Sequence, residues 1–218
     1  MKAFIFAAMM LTAASPAAAQ EYGDPYVPYA PIPLDVNVFS GPRIEAQVGY
    51  DHLGRAEDDG LDGVSYGGEA GFDVALGSSM ILGGYGGYEG SSAKECVTDV
   101  TTRICIKPGR TYTIGGRVGF VVSPSTLLYA KGGYTNTRIE AESSDAAVPF
   151  NNFREYQDVD GFHVGGGVEA ALGRHAYGKI EYDYTELKGL LTVDQDTGIT
   201  NRQTVQRHQV KAGLGLRM

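Results

Sequence analysis

The 218-residue chain has no tryptophan, only two cysteines and, beyond its N-terminus, no apolar run of 18 residues. The missing run excludes a transmembrane helix. No cluster of five basic residues occurs and the formal net charge is -8, a balance that argues against a nucleic-acid partner. What the chain does have is 31 glycines, 14 tyrosines and a recurring alternation of apolar with polar residues.

The alternation is clearest at the C-terminus. Within residues 208–218, Val210, Ala212, Leu214, Leu216 and Met218 fall on one side of an extended strand, and Gln209, Lys211, Gly213, Gly215 and Arg217 on the other. The same period of two recurs seven times upstream, predicting strands near 43–52, 63–74, 80–90, 111–122, 127–136, 161–172, 176–185 and 204–218. One face is apolar throughout. The other carries Arg43, Glu45, Asp51, Glu69, Asp73, Arg117, Lys131, Glu169, Lys179, Glu181, Asp183, Lys211 and Arg217. The third segment alternates poorly, and its faces are assigned from Glu89 alone. A terminal strand that closes against the first removes both sheet edges, as a membrane barrel requires. The expected fold is all-β: an eight-stranded antiparallel up-and-down transmembrane β-barrel.

The connections differ in length. Short ones at 75–79, 123–126 and 173–175 hold the turn residues Gly77, Pro124 and Gly173. Those at 53–62, 91–110, 137–160 and 186–203 are long, polar and expected to be irregular. Short periplasmic turns and long outer loops are the asymmetry of outer-membrane barrels, which places both ends of the barrel on the periplasmic side. In that orientation Tyr50, Tyr66, Tyr88, Tyr112, Tyr134 and Tyr184 form an outer aromatic girdle on the lipid face.

At the N-terminus, Lys2, the apolar stretch Ala3 to Ala14 and the small residues Ala17-Ala18-Ala19 read as a signal peptide over residues 1–19. Residues 20–42, with four prolines between Pro25 and Pro33, read as a Pro/Tyr-rich periplasmic lead-in, and the barrel takes 43–218. Export permits a disulfide, and Cys96 and Cys105 are expected to staple the second outer loop. No histidine lies in that loop to complete a metal site, so no metal is expected there.

The signal peptide, Leu128-Tyr-Ala-Lys-Gly-Gly-Tyr134, Gly161-Phe-His-Val-Gly-Gly-Gly-Val-Glu169 and the terminal strand resemble the small outer-membrane β-barrel family of Gram-negative bacteria, the opacity-protein and porin-like set. The resemblance covers 43–218. It implies a location in the cell outer membrane, contact with outer-membrane lipids and lipopolysaccharide, and a C-terminal strand read by the outer-membrane assembly machinery. Family members usually end in Phe. Met218 keeps the apolar bulk without the ring.

Eight strands leave an interior just wide enough for side chains to fill it. The inward set holds seven acids and six bases, plus His163. Near balance predicts a plugged lumen of ion pairs, since unpaired buried charges are costly. The expected network comprises Glu45, Glu69, Arg117, Lys131, Glu169, Lys179, Glu181, Asp183 and Lys211. Its pairs are expected between neighbouring strands, for example Glu181 or Lys179 with Lys211 or Glu169. The alternative is a small diffusion pore whose pairs open to pass ions. A third reading, a lipid-modifying enzyme, needs a hydroxyl nucleophile beside a histidine. His52 and His208 fall on the lipid face near the outer rim, but no serine lies near either, so no catalytic residue is assigned. Gly165-Gly-Gly167-Val-Glu-Ala170 matches the letters of a dinucleotide fingerprint, yet it continues a strand, so no cofactor is expected. The loops 53–62 and 137–160, with the acids Glu57, Asp58, Asp59 and Asp62 and the aromatics Phe150, Phe153 and Tyr156, are the expected contact for a surface protein partner. The expected role is structural and surface-interacting, without catalysis.

Overall fold

The computed structural model describes residues 36–55, 58–98, 102–145, 153–193 and 200–218. Residues 1–19, most of the 20–42 lead-in, Glu57 and Phe150 lie outside the described residues. Nine strands are present among the described residues: β1 (Gly41–Arg55), β2 (Asp58–Leu76), β3 (Met80–Ser91), β4 (Glu95–Thr98), β5 (Thr102–Ser123), β6 (Thr126–Asp145), β7 (Phe153–Ala171), β8 (Ala176–Val193) and β9 (Thr200–Arg217). A 3-10 turn, Val36–Phe39, precedes β1. β3 pairs with β5 and β1 pairs with β9, so eight strands close into an antiparallel barrel. The ninth, β4, forms a hairpin on the upper part of β5.

Alternation decides which way each side chain points. In the lower and middle parts of the barrel, even-numbered residues such as Ile44, Phe72, Leu82, Ile114 and Ile180 face outward and are exposed, while Glu45, Asp73, Arg117 and Lys179 face inward and are buried. An apolar exterior around a charged interior inverts the pattern of a water-soluble protein. It is stable where the outer solvent is hydrocarbon, and closure into a barrel leaves no backbone edge unsatisfied there.

The connections predicted as long irregular loops are largely strand. Pairing runs on to Arg55↔Asp58, Ser143↔Phe153 and Val193↔Thr200, and the 91–110 segment contains the β4–β5 hairpin ending at Thr98↔Arg103. β5 is 22 residues long, whereas a membrane crossing takes about 9–11. The barrel therefore rises well above its apolar band. The predicted strands stop short of these pairings because the alternation reverses phase. Above the band water replaces lipid outside, so polar Arg138, Glu140 and Asp158 point outward. Leu53, Val159, Leu187 and Val205 point inward, and with Ala93, Leu61 and Ile139 they build an apolar cluster over the upper lumen.

At the short-turn end a second apolar cluster closes the barrel: Phe39, Ile81, Val121 and Leu127, with Val38, Ala75 and Ala171 packed against it. The lead-in thus ends inside the barrel, and β1 starts at Gly41, two residues before the predicted boundary. Room for bulky inward rings comes from glycine. Tyr177 on β8 lies directly opposite Gly215 on β9, where a Cβ would overlap the ring. Tyr85 stands opposite Gly115 and Tyr129 opposite Gly167 in the same manner.

Candidate functional site

Between the two apolar clusters, the described residues place eight buried carboxylates and seven buried Lys or Arg side chains in the lumen. They form three tiers. In the lowest, Arg117 grips Asp73 through Nε at 2.9 Å and Nη2 at 2.5 Å and reaches Glu169 at 3.1 Å. Arg217 binds the same two acids, Glu169 at 2.6 Å and Asp73 at 3.1 Å. Arg43 links this tier to the next through Asp73 at 3.2 Å and Glu69 at 2.7 Å.

In the middle tier, Lys131 bridges Glu69 at 2.6 Å and Glu181 at 3.2 Å. Lys179 bonds Glu45 and, at 3.0 Å, Glu181. Lys211 meets Asp183, Glu181 at 3.3 Å and Glu89 at 3.6 Å. In the upper tier Arg207 forms a fork on Asp51, both bonds at 2.7 Å, and meets Glu89 at 2.7 Å. Such bidentate, multiply shared pairs are the arrangement in which charges survive burial.

Tyrosines complete the packing. Tyr177 donates to Glu45 and Tyr129 to Glu181, each at 2.7 Å, while the Tyr85 hydroxyl lies 2.5 Å from His163 Nε2. Thr135 Oγ1 holds the other ring nitrogen of His163 at 2.6 Å. Among the described residues, a lumenal cavity of about 20 Å³ is bordered by Gln47, Glu69, Lys131, His163 and Gln209, room for about one water molecule.

All nine residues named from sequence for the lumenal network are buried in these tiers. The pairing rule is different, however. Glu169 and Lys179 are register partners on β7 and β8, yet Lys179 bonds Glu45 and Glu181, and Glu169 is held by Arg117 and Arg217. Glu181 does meet Lys211 on the adjoining strand. In so narrow a bore, long side chains converge on the axis and reach acids two or more strands away. The sequence reading missed Arg207 and the three inward tyrosines. Their odd numbers, in strands whose even residues face lipid, are the signal that identifies them.

On the outside, Tyr50, Tyr66, Tyr88, Tyr112 and Tyr134 are exposed and Tyr184 is half-buried, all six on the outward face toward the long-hairpin end. Several hydroxyls turn upward: Tyr50 donates to Asp62 at 2.5 Å, Tyr134 to Asp160, and Tyr184 to Glu186 at 3.3 Å. His52 Nδ1 lies 2.7 Å from Asp62, and His208 Nδ1 lies 2.8 Å from the Tyr182 hydroxyl. Higher up, two hydrogen bonds from Arg138, each 2.8 Å, hold the Asp158 carboxyl below the usual carboxylate range. No group of three or more side chains suited to a metal gathers among the described residues.

A closed eight-stranded barrel with an apolar exterior and a filled ionic bore is the architecture of small outer-membrane proteins. The family model of the outer membrane protein beta-barrel domain matches residues 4–217. The chain belongs to that family. Among solved structures, Ail, the attachment invasion locus protein of Yersinia pestis, is 12% identical, covers 82% of this chain and 99% of its own, and superposes with a TM-score of 0.50. Neisserial surface protein A is 15% identical, covers 82% of this chain and 98% of its own, with a TM-score of 0.51. Both share the barrel fold. No curated protein sequence matches the chain. This outer-membrane barrel carries one further fixed feature, a disulfide joining Cys96 and Cys105, which are register partners in the β4–β5 hairpin.

The disulfide closes a short segment above the apolar band, so it constrains little of the unfolded chain. With both cysteines in that bond, alkylation of freshly purified, non-reduced protein should detect no free thiol. Replacing both cysteines with serine should leave the barrel folded, as read by its heat-dependent migration on a detergent gel. Loss of folding in the double variant would show that the hairpin nucleates assembly.

Proposed function

We propose that this outer-membrane barrel is a structural and surface-interaction protein whose lumen is plugged, without catalysis. The observation that carries this reading is the filled bore among the described residues: three tiers of shared ion pairs, capped at each end by an apolar cluster, around a cavity with room for about one water molecule. Ions entering such a bore would have to break buried pairs and cross two apolar layers.

The upper part of the barrel supports the surface role. Its hairpins share one apolar core, and the disulfide fixes the β4–β5 hairpin beside it, which together give a surface on which a protein partner docks. The 53–62 and 137–160 hairpins offer it exposed Tyr156 and the acids Asp62, Asp158 and Asp160. Export is taken to use residues 1–19 as a signal peptide. Insertion is taken to use the terminal strand, read by the assembly machinery, and the tyrosine girdle is taken to sit among lipopolysaccharide and lipid headgroups. The enzyme reading fares worse. His52 and His208 are engaged by Asp62 and the Tyr182 hydroxyl, and no serine is bonded to either among the described residues.

The runner-up is a small diffusion pore. Planar-bilayer recording separates the two: the unmodified, reconstituted protein should show no steady single-channel current. Large, stable currents would overturn the plugged-lumen reading and establish the pore.

A further inference from the structure

The lead-in does more than arrive at the barrel. Val36–Phe39 packs against β2 and β3, and the Phe39 ring is fully buried among Ile81, Val121 and Leu127. Arg217 holds it from above. Its Nη1 lies 3.4 Å from the Val38 carbonyl, and its guanidinium carbon is 5.9 Å from the Phe39 ring centre. The same guanidinium binds Glu169 and Asp73, so Phe39 lies directly under the lowest ionic tier.

The chain reaches this position by a sharp reversal at Gly41, where φ is +109°. A Cβ there would run into the carbonyl of Met218, whose own N–H donates to the Pro42 carbonyl at 3.0 Å. Only glycine takes that conformation without strain. β1 begins at this residue, so what precedes it can move without unpairing the barrel.

We propose that Val36–Phe39 is a removable stopper: an aromatic plug seated in an apolar socket at the short-turn, periplasmic mouth and hinged at Gly41. Withdrawn, it leaves a socket sized for one aromatic ring and opens the lowest ionic tier to water from below. The lumen is then gated from inside the cell envelope, independently of the apolar cluster on the surface side. The role concerns access to the lumen floor and stands apart from whether the bore conducts.

Thiol accessibility tests it. No free cysteine is present among the described residues, so Ile81→Cys places one reactive thiol beneath the stopper. In detergent-solubilised full-length protein, a charged methanethiosulfonate should modify that thiol at least tenfold more slowly than the one introduced by Ser78→Cys in an exposed turn. Adding Phe39→Ala to the Ile81→Cys variant should raise the modification rate at position 81 at least tenfold. Gly41→Val, which keeps the ring but forbids the reversal, should do the same, and it covers the case in which Phe39→Ala fails to fold. Heat-dependent migration on a gel verifies folding of each variant. Acceleration in either folded variant supports the stopper. Fast modification of Ile81→Cys with Phe39 in place, or no acceleration in both variants, overturns it.

Discussion

Val118→Arg should destabilise the folded barrel by about 2–4 kcal/mol, the cost of placing a cation at mid-membrane on the lipid face. Val118 faces outward near the middle of the apolar band of β5, between Tyr112 and Val122, with Leu82 on β3 and Ala130 on β6 as its register partners. The arginine would have no acid within this apolar patch, and snorkelling from mid-height to either interface is a long reach. Thr113, on the same strand, lines the lumenal cavity instead, so Thr113→Ser should cost much less. Urea unfolding of both variants in phospholipid vesicles reads the difference. Equal tolerance at the two positions would refute the assignment of faces.

The second large effect lies in the bore. Lys131→Ala should cost about 3–5 kcal/mol, the range for removing one partner of a buried ion pair. It strips a cation from Glu69 and Glu181 at once and removes the ammonium that lies 4.3 Å from the Tyr85 ring centre. The pair of exposed Lys188 with half-buried Glu186 is the internal control. Lys188→Ala should change stability by no more than about 1 kcal/mol, because solvent screens it. Conductance adds a second readout. Both apolar clusters survive Lys131→Ala, so the weakened barrel should stay closed to ions. Channel openings in this variant alone would place the barrier in the ionic tiers and not in the clusters.

Much of this architecture is legible one strand at a time. Period two in Val210 to Met218 separates lipid face from lumen without any structure, because a strand's side chains have only two directions in which to point. The six tyrosines of the girdle and the nine charges of the network follow from the same parity. Tyr85, Tyr129 and Tyr177 escape that reading when aromatic residues are expected to face lipid. Glycines directly across the next strand make room for them inside, and such a pairing is visible only once the register is known. The upper strands escape it for another reason. At the edge of the bilayer the outside solvent changes, so the apolar face of the same strand moves from outside to inside. Ile139 and Val159 then read as breaks in a lipid-facing pattern, when they continue the strand in water.

Fold class, the two faces of each strand and most of the lumenal charges are therefore written in the linear chain. Each depends on local alternation and on where the turns fall, which a sequence carries in full. Which acid holds which base, that the hairpins above the membrane share one core, and that Phe39 folds back under the ionic tiers are settled in three dimensions alone. Those depend on closure. Once eight strands bend into a narrow barrel, Arg217 and Asp73, 144 positions apart, converge on one axis, and no periodicity along the chain records that distance.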